Sequence, residues 1–394
     1  MPEGLPYKRL SGFYFFWFAT LGAFLPYWGL YLQERGFSAT QIGAVFGTLM
    51  GTKLIAPYVW GWIVDHFGAR LTIVRLAAAL TLLIFCFIPQ QAQFLGMIVL
   101  MTAYGFFWNA TPPQIEALTF NHLGDKEAYY GRIRLWGSIG FITSVTSLGW
   151  LVQTHGLGLL PYWIAAMLAG VVLISLLLNE KPRPESQSDA EGLWRVLKRP
   201  EVLGLLLACC LMQLSHGPYY SFFSIYLEAH DYSRSQIGLL WSLGVFAEIF
   251  VFLAMPLLAA RLGMRRLFLM AIGITVIRWA LLSGFVDHPV VIICVQLMHL
   301  ASFGLYHAVA VNLVHRFFRG QLQGRGQALY SSMSFGLGGG IGALLSGYVW
   351  DISSPTVIYF MAAVVALLAW LIAWWTLHVA PERTELTTGR TDLV

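Results

Sequence analysis

Gly22–Gly43, GAFLPYWGLYLQERGFSATQIG, is matched without a gap by Gly217–Gly238, GPYYSFFSIYLEAHDYSRSQIG, 195 residues further along the chain. Gly22 falls on Gly217, Tyr31 on Tyr226, and SATQIG on SRSQIG. The same register pairs Gly68 with Gly263 and Arg70 with Arg265. A gapless repeat of this length, half a chain apart, means two structurally similar halves. Parallel halves related by an axis along the membrane normal are an arrangement that secondary transporters use, with solute held between them near the midplane.

Composition places those halves in a membrane. Hydrophobic residues make up 58% of the chain and charged residues 11%; soluble domains carry about 25% charged residues. The net charge of +5 resides in short loops between apolar runs, so it reads as a topology signal and not as a nucleic-acid surface. The four cysteines fall within apolar runs without metal-ligand spacing. No metal or other cofactor is expected, and no nucleophile–base arrangement suggests an enzyme.

Runs long enough for membrane helices fall at about 10–32, 40–64, 71–90, 94–119, 131–153 and 158–179. A second set falls at about 201–228, 236–260, 266–286, 289–316, 326–350 and 354–379. The expected fold is therefore all-α, with twelve transmembrane helices in two pseudo-symmetric six-helix bundles. Residues 1–179 form the first bundle, the Pro-, Ser- and charge-rich 180–200 a linker, and 201–394 the second bundle with a short tail. The basic flank before the first run, and the length of that run, read as a retained first span. Of the 24 Lys and Arg residues, Arg35 and Arg234 alone fall in loops on the side reached after the first span. The side bearing both termini is thus expected to be cytoplasmic.

Ionisable residues inside spans mark function, because a charge at mid-membrane costs ~2.5–3.5 kcal/mol even on lenient insertion scales. Lys53, Glu116, Arg134, Glu248, Arg278, His299 and His307 qualify. The repeat lands Lys53 on Glu248, so Lys53 is expected to face the central cavity opposite Glu248, pairing with it or sharing a bound solute. Gly43 to Gly51, GAVFGTLMG, reads as a small-residue packing face, with Lys53 on a different face. The Gly-rich 334–347 reads as a stretch that lets its helix pack closely or bend. Gly105, Asn109, Pro112 and Glu116 share one face of the fourth span, which Pro112-Pro113 is expected to bend. Gln296, His299, Phe303 and His307 form one polar-aromatic stripe, and histidine titrates near neutral pH, which suits a proton relay.

GWIVDHFGAR (61–70) resembles the signature of the major facilitator superfamily between its second and third helices, with Gly61, Asp65, Gly68 and Arg70 at the matching positions. The resemblance implies that Asp65 and Arg70 gate the transporter. Ala260 stands in place of the aspartate in the second half. PPQIEALTFNHLGDKEAYYGRIRLWGS (112–138) resembles the proton-coupled lactose permease family, which implies that Glu116 and Arg134 engage solute. Glu248, Arg278 and His299 fall in the spans where that family keeps its proton-coupling charges. Two positions depart from it: Phe141 replaces a sugar-stacking tryptophan, and Ser302 replaces a glutamate. GRIRLWGS, LLWSLGVFAE (239–248), VIRW (276–279) and the two histidines more closely resemble the phenylpropionate permease family, which implies an aromatic carboxylate as solute.

The resulting expectation is a proton symporter importing a small organic solute by alternating access across the cytoplasmic membrane. Lys53, Glu116, Arg134 and Asn109 would orient the solute, with Tyr27, Trp28, Phe141, Tyr219, Tyr220 and Trp241 around its ring. Glu248, Arg278, His299 and His307 would carry proton coupling. The expected partners are solute, protons and membrane lipid, with no nucleic acid, and the chain is expected to act as a monomer. Alternatives are a sugar or nucleoside symporter, a drug exporter, and a non-transporting sensor on the same fold.

Overall fold

The computed structural model describes residues 5–124, 126, 129–180, 193–320 and 322–377. Twelve helices long and apolar enough to span a membrane occur among them. They are α1 (Tyr7–Glu34), α2 (Ala39–Phe67), α3 (Arg70–Gln90), α4 (Phe94–Leu123), α5 (Tyr130–His155) and α6 (Leu157–Leu177). The second set is α7 (Pro200–Glu228), α8 (Arg234–Leu262), α9 (Met264–Gly284), α10 (Pro289–Phe317), α11 (Leu322–Ile352) and α12 (Pro355–Thr376). Most of the expected linker (181–192) and the expected tail (378–394) lie outside the described residues; Leu193–Leu197 forms a short helix ahead of α7.

The repeat is legible in the caps. Ser38 accepts from the Gln41 amide while its own amide donates to the Gln41 side chain, a capping box that starts α2. Ser233 and Gln236 repeat it at the start of α8. Gly68 (φ 67°) and Gly263 (φ 74°) end α2 and α8 in the left-handed region, where a side chain would be strained.

Four spans depart from regular α-geometry at mid-membrane, and proline explains two of them. Pro57 has no N–H to offer the Lys53 carbonyl four residues back, and α2 tightens to a 3-10 turn over Thr52–Leu54. Ser332 of α11 supplies the missing donor, its Oγ lying 3.1 Å from that carbonyl. In α4, regular turns stop at Trp108 and resume at Thr111. Pro112 leaves the Trp108 carbonyl without an amide donor, and the Thr111 hydroxyl donates to it at 3.0 Å. α10 and α11 each contain a π-type stretch, Leu300–Leu305 and Ser332–Gly338.

The halves meet most closely at the face away from the N-terminus, called here the far face. Gly43 of α2 lies against Gly347 of α11, and Gly149 of α5 against Gly238 of α8, so each half lends one helix to each crossing. The Tyr27 hydroxyl donates across the halves to the Arg234 carbonyl at 3.2 Å and within its own half to that of Val145 at 3.1 Å. Asp351 accepts from the Thr40 amide at 2.8 Å. Arg234 pairs with Glu34 at the end of α1 and with Glu228 at the end of α7, while its amide donates to Gln153. The conformer is closed at the far face.

This closure predicts a result. A Cβ on Gly149 would lie 2.5 Å from the Tyr27 hydroxyl and 3.0 Å from the Arg234 carbonyl. Overpacking of this kind costs about 1–3 kcal/mol, equivalent to a several-fold to hundredfold population shift. Gly149→Val is expected to lengthen spin-label distances between the far ends of α5 and α8; unchanged distances would show that the crossing does not depend on backbone contact.

Candidate functional site

Arg278 is the centre of the second half. It is fully buried, and its guanidinium donates to the Val295 carbonyl (2.9 Å), Ser302 Oγ (2.8 Å), Gln296 Oε1 (3.1 Å) and His299 Nδ1 (3.0 Å). Its plane also packs on Tyr219 and Trp279, 4.3 and 4.5 Å from their ring centres. A guanidinium has no acceptor, so His299 Nδ1 must carry the lone pair and Nε2 the proton. That nitrogen lies 2.8 Å from Glu248 Oε1. The carboxylate oxygen sits off the line of the ring N–H and is otherwise unpartnered, so the contact is close but not an aligned hydrogen bond. Gly304, in the π-type stretch of α10, gives the Glu248 side chain its room: a Cβ there would lie 3.1 Å from Glu248 Cγ.

The stripe expected on α10 is a stack. His299, Phe303 and His307 lie nearly parallel, with centroid spacings of 5.5 and 5.8 Å. His307 Nδ1 is 2.9 Å from the Tyr330 hydroxyl. Phe303 has no polar atom, so it separates the two imidazoles as proton carriers.

In the first half neither Lys53 nor Arg134 is ion-paired with a carboxylate among the described residues. Arg134 lies 3.9 Å over the Phe18 ring, and among the described residues its guanidinium donates no hydrogen bond and pairs with no acid. Glu116 is not its partner: that carboxylate accepts from the Tyr130 hydroxyl at 2.9 Å. Glu248 is within Coulombic reach of Arg134 as well as of Arg278, and His307 is within reach of Arg134. Of the two first-half cations, Arg134 is the one whose charge reaches Glu248.

Lys53 is placed differently from the expectation. It makes no ion pair with Glu248 and instead holds its ammonium 5.1 Å from the centre of Phe335 on α11. Positions related by the repeat sit on opposite sides of the pseudo-axis, and the turn at Thr52–Leu54 directs Lys53 towards α11. Gly43 and Gly47 also face α11, so Lys53 continues their packing side and does not occupy a separate one.

Several residues expected around a solute ring are packed in this conformer. Tyr27 and Trp28 have no exposure, the first holding the far face and the second stacked between Phe24 and Tyr31. Asn109 donates to Thr52 Oγ1 at 2.8 Å and so ties the α4 break to the α2 break. Phe141 is buried with its backbone against Gly22. Tyr219 and Trp241 form a buried second layer, their hydrogens on Gln296 and Ser224. Tyr220 is partly exposed and its hydroxyl has no partner among the described residues. Asp65 is exposed near the end of α2, and Arg70 donates to Gln114 of α4 at 3.0 Å, joining the α2–α3 turn to the helix that carries Glu116.

Two residues escaped the sequence reading. His216 on α7 is fully buried, with Nδ1 2.7 Å from the Met212 carbonyl and Nε2 unpartnered; a histidine within a span was the available signal. Phe335 had none, because one more phenylalanine in an apolar helix is unremarked. Among the described residues no cluster of His, Cys, Asp and Glu is placed to hold a metal ion.

Comparison with known proteins agrees with this fold. The model of a family described as MFS_1 like matches residues 7–361. A protein named "Probable 3-phenylpropionic acid transporter", from Escherichia coli (strain K12), is 30% identical over 361 residues, covering 89% of this chain and 93% of that one. The maltose permease of Geobacillus stearothermophilus is 27% identical over 375 residues, covering 91% and 92%. The solved structure of the nucleoside transporter NupG superposes with a TM-score of 0.82 at 18% identity, covering 95% of this chain and 99% of that one, a likeness of fold alone.

Proposed function

The chain belongs to the MFS_1-like family of major facilitator transporters, and on that premise we propose that it is a proton symporter importing an aromatic carboxylate of the phenylpropionate type. The observation that carries the reading is the Arg134 guanidinium, which lies over Phe18, pairs with no acid among the described residues, and is near enough for its charge to act on Glu248. A cation held in a membrane without an acid needs an anion, and a solute carboxylate can supply it in bidentate form. The phenylpropionic acid relative adds support for an aryl group.

The chemistry follows from charge. Glu248 takes a proton while the carboxylate of the solute engages Arg134, with Lys53 and Glu116 setting its orientation. His299 holds its Nε2–H against Glu248 because Arg278 occupies Nδ1, so it acts here as a neutral positioning group. With both the acid and the solute neutralised, the halves rock past each other at low cost. Asp65 and Arg70 gate the face bearing the termini, which the basic loops mark as cytoplasmic, and the protein works as a monomer in the cytoplasmic membrane.

The test is uptake of labelled 3-phenylpropionate into proteoliposomes, beside sugar and nucleoside probes. Arg134→Gln is expected to weaken binding of the carboxylate about tenfold or more, since a hydrogen bond to a charged group contributes ~1.5–3 kcal/mol. Uptake of a neutral sugar or nucleoside in place of the acid would overturn the solute assignment. Acid extrusion against the proton gradient would instead identify an exporter.

A further inference from the structure

Lys53 meets the second half twice. Its carbonyl, deprived of an amide donor by Pro57, accepts from Ser332, and its ammonium lies 5.1 Å from the Phe335 centroid. Among the described residues no carboxylate is within ion-pair distance of it. Phe335 sits in the π-type stretch Ser332–Gly338, a geometry that recurs at functional sites. Its ring lies 5.9 Å from His307 and 6.5 Å from Phe303, centre to centre.

Exposure separates two layers here. Lys53, Tyr220, Phe303, His307 and Phe335 each keep partial exposure, whereas Tyr219, Trp241 and Trp279 behind them are buried. The ammonium therefore lies on an accessible wall made of ring faces.

We infer that Phe335 determines the specificity of the transporter for an aryl group on the solute. The inference rests on the proposed aromatic carboxylate and extends it to a residue. A carboxylate engaged by Arg134 and oriented by Lys53 brings its substituent against Phe335, the ring that already seats the ammonium. An aryl substituent then meets Phe335 edge-to-face or in an offset stack, within the 4.5–7 Å at which ring pairs gain beyond their buried area. A saturated ring of the same size has the charge contact and the burial but not the ring pairing.

The experiment compares 3-phenylpropionate with 3-cyclohexylpropionate, which share the carboxylate and the carbon count. Binding to the purified full chain is measured by calorimetry for the natural protein and for Phe335→Leu, Phe335→Met and Phe335→Tyr. The natural protein and Phe335→Tyr are expected to prefer the aryl acid about fivefold, from the usual strength of an aromatic pair. In Phe335→Leu and Phe335→Met the ratio of the two affinities is expected to fall to about one, a ratio from which any loss common to both acids cancels. Two non-aromatic replacements guard against one that misfolds. An aryl preference that survives in both overturns the inference, as does an equal loss of both acids, which would make Phe335 only a support for Lys53. If the natural protein binds the two acids equally, the inference falls and the carboxylate reading stands. If it binds neither, the carboxylate reading itself is overturned and the inference goes with it.

Discussion

Proteoliposomes bearing Glu248→Gln are expected to lose solute accumulation driven by a pH gradient while retaining exchange of labelled for unlabelled solute. Glutamine keeps the shape of the side chain and its place beside His299 and Gly304, but it cannot cycle a proton. Net uptake returns an empty carrier across the membrane, a step that under the proposed symport requires the acid to give up its proton first. Exchange never passes through that step, because both crossings are made loaded. The expected loss of gradient-driven uptake is about a hundredfold or more, corresponding to ~2.7 kcal/mol at the step that the proton governs. Undiminished accumulation in the variant would remove Glu248 from the proton path. His307 would then be the next group to test, since its partner is a hydroxyl and Phe303 isolates it from His299.

The second large effect concerns stability. Arg278→Gln is expected to lower the unfolding midpoint of the purified protein by several degrees. It removes donors from the Val295 carbonyl, Ser302, Gln296 and His299 at once, all buried. It also strands the Glu248 carboxylate beside a histidine whose tautomer is no longer fixed. Each buried acceptor left without its donor costs about 1–3 kcal/mol, and the loss of the nearby positive charge adds to this at Glu248. The double variant with Glu248→Gln carries no stranded charge, so part of the loss should return. A double variant no more stable than Arg278→Gln alone would mean that the guanidinium acts through its hydrogen bonds and not through Glu248.

Much of the architecture was legible because it depends on local rules. SATQIG and SRSQIG encode the same capping box, and the offset between them located two homologous helix starts. Pro112-Pro113 announced a break that the structure places two residues upstream, with Thr111 compensating for the lost amide. The polar-aromatic stripe on α10 followed from helical spacing and is a stack. The site was legible only in its inventory. Which cation faces Glu248 depends on how two halves dock, and a repeat relates positions by rotation without bringing them together. Lys53 was the symmetric choice; Pro57 and the turn before it direct Lys53 to α11, and the first-half charge that reaches the acid is that of Arg134. Tyr27 and Asn109 had the right chemistry for a binding site, but backbone carbonyls and Thr52 already use their polar groups. Phe335 lacked any mark in the sequence, because its importance lies in what another helix sets upon it.

Coupling of solute entry to proton entry is the claim on which the rest depends, and external pH reads it directly. Proteoliposomes are loaded with weak buffer, freed of any ion gradient, and given an inward gradient of 3-phenylpropionate while a pH electrode follows the medium. The account predicts alkalinisation of the medium that begins with solute addition, collapses with a protonophore and is absent with Glu248→Gln. Labelled solute entering the same vesicles with no movement of protons would contradict it.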